Sequence, residues 1–347
     1  MKSITIYGNR AQSNILIGER LENFYRYIPG GRPIIITDVN VRKICPMDSM
    51  SGDIITIGTG EKIKTLNTVQ DIYTQLVKLG ADRSSFIVGI GGGIVCDIAG
   101  FVASTFMRGV RFGFVATTLL AQVDASVGGK NGVNFNRYKN MIGVFNQPEF
   151  VICDLDLLKT LSEKEILCGL AEIVKHAVIG DIDLFAFLEQ HYESAGALDS
   201  RIVERLVLDS VTLKSSIVNR DETERGERRI LNFGHTFGHA LEKVIGVPHG
   251  EAVSIGMTIA SALSVKRGLL TVEDEQRILS LMKKLKLPTR IASGDERLFD
   301  ALKKDKKREN NCINFVLLNR IGAAVVEKIS LEELKDAIDE KIRFKSF

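Results

Sequence analysis

Three of the five histidines in this 347-residue chain fall within fifteen residues, in the segments NFGHTFGH and PHGEA. His235 and His239 are four residues apart, so they share one face if the segment is helical. Neutral imidazoles at this spacing often bind zinc, and His249 follows soon after. The HExxH glutamate of a zincin is absent. The spacing therefore indicates a metal or catalytic cluster, with helix-capping or core histidines as the alternative.

The best carboxylate for such a site is Glu172, in GLAEIVKHA (169–177). It lies among apolar residues in a helical pattern, where a glutamate is rarely buried unless it is paired or bound to a metal. Lys175 and His176 follow three and four residues later and neighbour it on a helix. A surface salt bridge between Glu172 and Lys175 explains the same pattern, so both interpretations remain open.

A glycine turn, GIGGGIVCDIAGF (89–101), lies between a predicted strand and a predicted helix. Glycines there let backbone N–H groups approach a phosphate, and the start of the helix adds a favourable dipole. The segment departs from GxGxxG at Ile94, so a tight turn in a packed sheet is the alternative. Asp38 ends an earlier strand, where a carboxylate can meet a ribose or cap a turn.

Polar side chains are dense in two further stretches. The first stretch holds Arg108, Asp124, Lys130, Lys139 and Asn140, and the second holds Lys214, Glu224, Arg228 and Asn232. A lysine after two glycines, such as Lys130, often meets an anion, although a solvated loop would look the same. The charge run KKDKKREN (303–310) is typical of a solvated face, with phosphate contact as the alternative.

The elements that position these residues change character along the chain. Short apolar strands are predicted at 33–38, 53–58, 85–93, 112–118 and 150–154. Helical patterns between them, clearest at 68–80, indicate an α/β domain with a mostly parallel sheet. Helices predicted at 161–180, 200–222, 251–268 and 272–288 indicate an all-α second domain, with a brief strand possible at 312–318. We expect domains at 1–157 and 158–347.

Composition excludes several classes of protein. The chain has 46 basic and 43 acidic residues, a net charge of +3, which argues against a nucleic-acid binder and suits a small anionic substrate. Its five scattered cysteines are typical of reduced thiols in a cytoplasmic protein. The nearly uncharged stretch 85–106 has the length of a membrane span, but three glycines and Asp97 favour strand, turn and helix.

Many ordered motifs together resemble the 3-dehydroquinate synthase family, within the sugar phosphate cyclases. The motifs are GEKIKT (60–65), GGGIVCDIAGFVASTFMRGV (91–110), TTLLAQVDASVGGK (117–130), KNMIGVFNQP (139–148), LKTLSEKE (158–165), GLAEIVKHA (169–177), ILNFGHTFGHALE (230–242), HGEAVSIGM (249–257) and DKK (305–307). The resemblance implies a Rossmann-like domain followed by a helical domain, a homodimer, bound NAD and one zinc or cobalt ion.

The resemblance also implies roles for individual residues. The metal ligands would be Glu172, His235 and His249. Positions around NAD would be Asp38, Asn40, Gly60, Glu61, Lys62, Gly91, Gly92, Gly93, Asp97, Thr117, Thr118, Lys130, Lys139 and Thr160. Positions around the substrate would be Asp124, Lys130, Asn140, Lys175, Lys214, Glu224, Arg228, Asn232, His239 and Lys306. Arg108 resembles an arginine that reaches the partner subunit's site.

The implied enzyme is a lyase of the shikimate pathway, and so of aromatic amino acid biosynthesis. It converts 3-deoxy-D-arabino-heptulosonate 7-phosphate to 3-dehydroquinate and phosphate, through oxidation by NAD, phosphate elimination, reduction, ring opening and an intramolecular aldol reaction. Other sugar phosphate cyclases, a glycerol dehydrogenase-type enzyme and a non-enzymatic NAD-binding protein are the alternatives. No nucleic-acid or membrane partner is expected.

Overall fold

A computed structural model of the chain describes residues 1–8, 12–30, 32–45, 47, 50–136, 138–290, 298–299, 308–309 and 312–343. The chain divides into two compact units. The first comprises Met1–Ile166 and Val203–Thr223, and the second comprises Leu167–Ile202 and Glu224–Phe347. The expected domain boundary after residue 157 stays a prediction.

The described strands are β1 (Lys2–Tyr7), β2 (Gln12–Ile17), β3 (Ile34–Asp38), β4 (Asp53–Ile57), β5 (Phe86–Gly91), β6 (Arg111–Ala116), β7 (Lys130–Phe135), β8 (Tyr138–Phe145), β9 (Phe150–Cys153), β10 (Arg308–Glu309), β11 (Cys312–Arg320) and β12 (Ala323–Ser330). The described α-helices are α1 (Val39–Ile44), α2 (Leu66–Lys78), α3 (Gly93–Thr105), α4 (Glu163–Gly180), α5 (Ile182–Gly196), α6 (Ser200–Arg220), α7 (His235–Ile245), α8 (His249–Lys266), α9 (Val272–Lys284) and α10 (Leu331–Arg343).

The first unit is built on a seven-stranded sheet in the order β1-β2-β9-β6-β5-β3-β4. Only β1 runs antiparallel to its neighbour, and the other pairs are parallel. The five strands predicted from apolar runs are β3, β4, β5, β6 and β9, which confirms the mostly parallel sheet. Their apolar side chains are buried because helices cover such sheets on their faces.

The order of strands places a switch point between β3 and β5. The chain runs from β3 outward to β4, returns past β3 to form β5, and then continues on the opposite side with β6. Open α/β sheets bind ligands beyond the carboxyl ends of strands at such a point. The register pairs Thr37 of β3 with Ile90 of β5, so Asp38 and the glycine turn leave the sheet side by side.

The stretch 85–106, nearly uncharged and as long as a membrane span, forms β5 and α3 with a glycine turn between them. This confirms the interpretation as strand, turn and helix. Across the described residues, no helix is both long enough and apolar enough to cross a membrane.

The second unit is mainly helical, as predicted. Where the sequence indicated an all-α domain with at most one brief strand, the structure also has a three-stranded antiparallel sheet of β10, β11 and β12. The brief strand expected at 312–318 lies within β11. Helix α4 begins after Ser162, whose hydroxyl accepts a hydrogen bond from the Glu165 N–H at 3.4 Å, as the capping pattern predicts. Every residue from Cys168 to Ile179 is buried, so this part of α4 is a core helix.

Candidate functional site

Most residues that the resemblance assigns to NAD follow the carboxyl ends of the parallel strands. Asp38 ends β3, Gly60 and Glu61 follow β4, Gly91 ends β5, and Thr117 follows β6. They belong to four adjacent strands, β4-β3-β5-β6. The fold therefore gathers at one sheet edge residues that the sequence spreads over about eighty positions.

The glycine turn is closely packed as well as free of side chains. A Cβ on Gly92 would lie 3.1 Å from Thr118 Cγ2, and one on Gly93 would lie 2.8 Å from Ala125 Cβ. Gly92 is the N-cap of α3, and no side chain caps that end. The first N–H groups of α3 are therefore not capped by a side chain, as an anion-binding helix start requires.

Asp38 caps a turn, which is one of the two roles that the sequence allowed for it. Its Oδ1 accepts hydrogen bonds from the N–H groups of Asn40 and Val41, at 2.8 and 3.0 Å, and so caps α1. This arrangement fixes the carboxylate at the end of β3, beside the glycine turn. Capping and ribose binding use different sides of one carboxylate, so the first does not exclude the second.

A buried lysine that sequence analysis missed joins several residues of this edge. Lys64 is 4% exposed, and its ammonium group donates hydrogen bonds to the Asp97 carboxylate and to Asn140 Oδ1, the second at 2.5 Å. The pKa of Asp97 is raised because burial penalises its charged form, although Lys64 acts in the opposite direction. Lys64 lies in the motif GEKIKT, which was the one signal that could have found it.

The contacts of Lys64 continue through side chains of the β7–β8 hairpin. Asn140 has a φ of +49° and donates its backbone N–H to Asn134 Oδ1 at 2.9 Å. Asn134 in turn donates to Glu61 Oε1 at 2.7 Å, and Lys139 lies 3.8 Å from the same oxygen. Residues from three separate motifs therefore share one hydrogen-bonded network.

Lys214 of α6 and Asp124 are neighbours within the first unit. The Lys214 ammonium donates to the Asp124 carbonyl at 2.5 Å and to its Oδ1 at 2.7 Å. Ninety residues separate the two in sequence, so their pairing was not readable from spacing. The lysine is 6% exposed, and the contact holds its charge in a fixed position.

The remaining candidates of the first unit are more exposed. Lys62, Thr160 and Lys130 are exposed, and Thr160 donates to the Leu157 carbonyl at 2.7 Å. Arg108 is also exposed and has a φ of +72°, next to Met107 at +49°. Two successive non-glycine residues with positive φ are uncommon, and they store backbone strain at the turn before β6. Thr118 faces Gly92 as described above.

In the second unit, α4, α7 and α8 bring Glu172, His235 and His249 together. His249 Nε2 lies 3.1 Å from Glu172 Oε1, and His235 Nε2 lies 3.5 Å from the same oxygen. One donor atom from each residue lies within 4.8 Å of the other two. All three donors therefore converge on one point.

This convergence fits a tetrahedral divalent metal. Bonds of about 2.0–2.1 Å at tetrahedral angles place neighbouring ligand atoms about 3.4 Å apart. The observed separations of 3.1 and 3.5 Å are close to that value. The donor set of two imidazoles and one carboxylate is also one that catalytic zinc uses, with a fourth position left open.

Lys175 holds the second oxygen of Glu172. Its ammonium forms an ion pair with Glu172 Oε2, and both side chains are buried, 1% and 0% exposed. The surface salt bridge considered from sequence is therefore an interior one. It leaves Oε1 directed at the imidazoles, because the lysine occupies the other side of the carboxylate.

The Nδ1 atoms of the two histidines contact different groups. His235 Nδ1 lies 3.1 Å from the Phe233 carbonyl oxygen, and His249 Nδ1 lies 3.1 Å from Glu242 Oε1. Burial alone lowers the pKa of His249, but its hydrogen bonds to Glu172 and Glu242 outweigh burial and raise the pKa to about 10. Glu242 is the last residue of the motif ILNFGHTFGHALE (230–242), but spacing gave no reason to assign it a role.

The second unit holds four further candidates, His239, Asn232, Glu224 and Arg228. The His239 ring lies 5.5 Å from the His235 ring, nearly perpendicular to it. Asn232 donates to Glu224 Oε1 and, at 3.2 Å, to the Arg229 carbonyl. Arg228 is 1% exposed, which is rare for arginine without charged or polar partners. Lys306 lies outside the described residues, as does most of the charge run 303–310.

The chain is similar to known proteins over most of its length. Family models described as the N-terminal and C-terminal parts of 3-dehydroquinate synthase match residues 54–168 and 169–308. A 3-dehydroquinate synthase of Dehalococcoides mccartyi (strain ATCC BAA-2266 / KCTC 15142 / 195) is 40% identical over 342 residues, covering 94% of this chain and 95% of that protein.

Two solved structures share the fold. A 2-deoxy-scyllo-inosose synthase complexed with carbaglucose-6-phosphate, NAD+ and Co2+ has a TM-score of 0.88 at 27% identity, covering 98% of this chain and 100% of that one. A 2-epi-5-epi-valiolone synthase from Streptomyces hygroscopicus subsp. jinggangensis, with NAD+ and Zn2+ bound, has a TM-score of 0.85 at 26% identity, covering 99% of both chains. Together with the two family models, these similarities show that the chain belongs to the 3-dehydroquinate synthase family.

Proposed function

We propose that the chain performs its family's reaction with NAD held by the first unit and one divalent metal ion held by Glu172, His235 and His249. The reaction is a phosphate-eliminating, carbocycle-forming lyase step of the shikimate pathway. It converts 3-deoxy-D-arabino-heptulosonate 7-phosphate to 3-dehydroquinate and phosphate. The observation that carries the proposal is the convergence of two Nε2 atoms on one oxygen of Glu172, at 3.1 and 3.5 Å.

When bound, NAD supplies a reversible hydride acceptor, and the metal polarises an oxygen of the substrate. The chain's own part is to orient and to compensate charge. Glu172 directs one oxygen toward the imidazoles because Lys175 engages the other. The first turn of α3, which no side chain caps, suits the pyrophosphate of the dinucleotide, and the Lys64 network holds Asp97 and Asn140.

The substrate has a carboxylate at one end and a phosphate at the other, and both need cations. Arg228 suits the carboxylate, because a planar guanidinium pairs bidentately with that group. Lys214 is proposed for the same end of the substrate. Lys130, Asn140, Lys306 and Arg108 of the partner subunit are proposed for the phosphate. Phosphate elimination need not use a protein base, because the substrate's own phosphate can accept the proton.

A homodimer and a cytoplasmic location complete the proposal. The β7–β8 hairpin exposes Phe135, Tyr138, Met141 and Phe145 by 37–45%, an unusual number of large apolar side chains for so short an element. All five cysteines are free thiols, which suits a reducing compartment. Sedimentation velocity of the purified protein tests the dimer, since a single species near 38 kDa would contradict it.

The reaction is tested by phosphate release. The purified protein with NAD and Zn2+ or Co2+ should release phosphate from the heptulosonate phosphate without accumulating NADH. Glucose 6-phosphate, which lacks a carboxylate, should release much less. Preference for glucose 6-phosphate would instead indicate a different sugar phosphate cyclase, and a steady rise of NADH would indicate a dehydrogenase.

The ligand set is tested by His249→Ala. This variant should lose the metal and the activity while its circular dichroism stays that of the parent, because the imidazole lies at the start of α8 and is only partly buried. His191→Ala is a matched control, since His191 belongs to α5 and to none of the proposed ligands. Full metal content in His249→Ala would overturn the ligand assignment.

A further inference from the structure

Glu242 is a buried carboxylate to which the proposed reaction gives no task. Its side chain is 4% exposed, and its Oε1 lies 3.1 Å from His249 Nδ1. It lies seven residues after His235, about two helical turns later, so both project from one face of α7. The same helix therefore carries one proposed ligand in its first turn and the partner of another in its last turns.

The chain geometry explains how Glu242 meets a histidine from the next helix. Gly246 ends α7 with a φ of +74° and donates its N–H to the Glu242 carbonyl at 3.1 Å. A left-handed residue at this position reverses the chain, and glycine takes that conformation without strain. Only Val247 and Pro248 remain before His249 opens α8. The tight connection places the imidazole over the last turns of α7.

The two proposed histidine ligands differ in what orients them. The Nδ1 of His235 faces the Phe233 carbonyl two residues away, a group fixed by the backbone itself. His249 is the first residue of its helix, and its Nδ1 faces a side chain instead. The orientation of His249 therefore depends on one residue that can be replaced, while that of His235 does not.

We infer that Glu242 is a positioning residue that directs His249 Nε2 at the metal. The inference rests on the proposed ligand set of Glu172, His235 and His249. With a metal on Nε2, the hydrogen of His249 resides on Nδ1 and is donated to the Glu242 carboxylate. That hydrogen bond fixes the tautomer and the ring orientation and makes Nε2 a better electron donor. Glu242 is neither one of the proposed metal ligands nor one of the residues proposed for the substrate.

The test measures metal affinity rather than turnover. Replacement of such an outer partner typically lowers metal affinity about 10–100-fold. We expect that loss for Glu242→Leu and a smaller one for Glu242→Gln, whose neutral oxygen can still accept the hydrogen bond. The affinity of folded, metal-free protein for Zn2+ is measured by competition with a chromogenic chelator. Glu189→Gln is the control, because Glu189 pairs with Arg277 elsewhere in the same unit.

A spectroscopic measurement distinguishes a positioning role of Glu242 from a general loss of packing in the fold. The Co2+-loaded Glu242→Gln protein should show altered visible absorption bands, whereas Glu189→Gln should keep the parent spectrum. If Glu242→Leu fails to fold, the Gln variant alone decides. Affinity within twofold of the parent and an unchanged Co2+ spectrum would overturn the inference. A parent protein that binds no metal would instead overturn the proposed function, so the two failures are distinguishable.

Discussion

Replacement of Lys64 by methionine should destabilise the first unit more than replacement of a single exposed charged residue does. The lysine side chain is 6% exposed and its partner Asp97 18% exposed. Removing one member of a buried ion pair costs about 3–5 kcal/mol, because the other charge stays behind without compensation. The partial exposure of Asp97 reduces this cost, and the lost hydrogen bond to Asn140 adds to it. We expect a net loss of about 2–4 kcal/mol.

The loss can be measured as a thermal shift. For domains of about 150–250 residues, 1 kcal/mol corresponds to about 2–4 °C, so Lys64→Met should lower the unfolding temperature by roughly 5–15 °C. Circular dichroism of the protein without NAD follows the transition, since the chain has no tryptophan. Lys78→Met is the matched control, because Lys78 is an exposed lysine in the last turn of α2. Its unfolding temperature should stay within about 1–2 °C of the parent's.

A double-mutant cycle identifies the pair as the cause. Lys64→Met combined with Asp97→Asn should be more stable than the two single effects predict, by about 1–3 kcal/mol. The pKa of Asp97 is raised by burial, and loss of the lysine removes an interaction that lowers it. The difference between Lys64→Met and the parent should therefore shrink as pH falls through this pKa and the carboxyl is protonated. A loss no larger than in Lys78→Met, or additive effects, would refute this account.

Two further outcomes follow from the second unit. Gly250→Ala should lower the stability by about 1–3 kcal/mol and should also weaken zinc binding, because its Cβ would lie 2.4 Å from Cys168 Cα and would push α8 away from α4. Chemical denaturation measures the first effect and chelator competition the second. Gly196→Ala is the control and should change neither, because the space around its Cβ is open. Glu333→Gln should cost about 0.5–1 kcal/mol at pH 7, because its carboxylate pairs with Arg267 through two 2.7 Å hydrogen bonds. That pairing lowers the pKa of Glu333, so the difference in stability between the variant and the parent should disappear as pH falls through the lowered pKa. A difference in unfolding temperature that stays constant down to pH 3 would contradict this.

The sheet of the first unit was predictable because its strands are continuous apolar runs. Strands β3 and β5 are buried on both faces, and only apolar, often β-branched, side chains suit that position. The β7–β8 hairpin was not predicted, because its sequence is rich in asparagine, glycine and lysine and resembles a loop. Its pairing depends on partners such as Asn131, which donates to the carbonyls of Gly129 and Asn146. Such contacts leave no periodic signal.

The candidate site shows the same division between local and distant information. A buried glutamate on a helix was expected to need a partner, and Glu172 has Lys175 one turn away. The partners of Lys64 lie 33 and 76 residues away, and the partner of Lys214 lies 90 residues away. No single sequence reveals such pairs. Family motifs pointed to Asp97, Asn140 and Asp124 individually. They did not indicate which lysine holds which of them.

The histidine cluster shows what residue spacing alone leaves open. His235 and His239 share a helix face, so spacing suggests that they act together. In the structure, Glu172 Oε1 lies near His235 and His249 instead, because the turn at Gly246 reverses the chain between α7 and α8. A site built from three helices, α4, α7 and α8, brings its donors to 3.1–3.5 Å while each imidazole keeps a separate partner on its other nitrogen. His239 lies beside the cluster, with its ring 5.5 Å from that of His235, although two histidines four apart on a helix can share one metal.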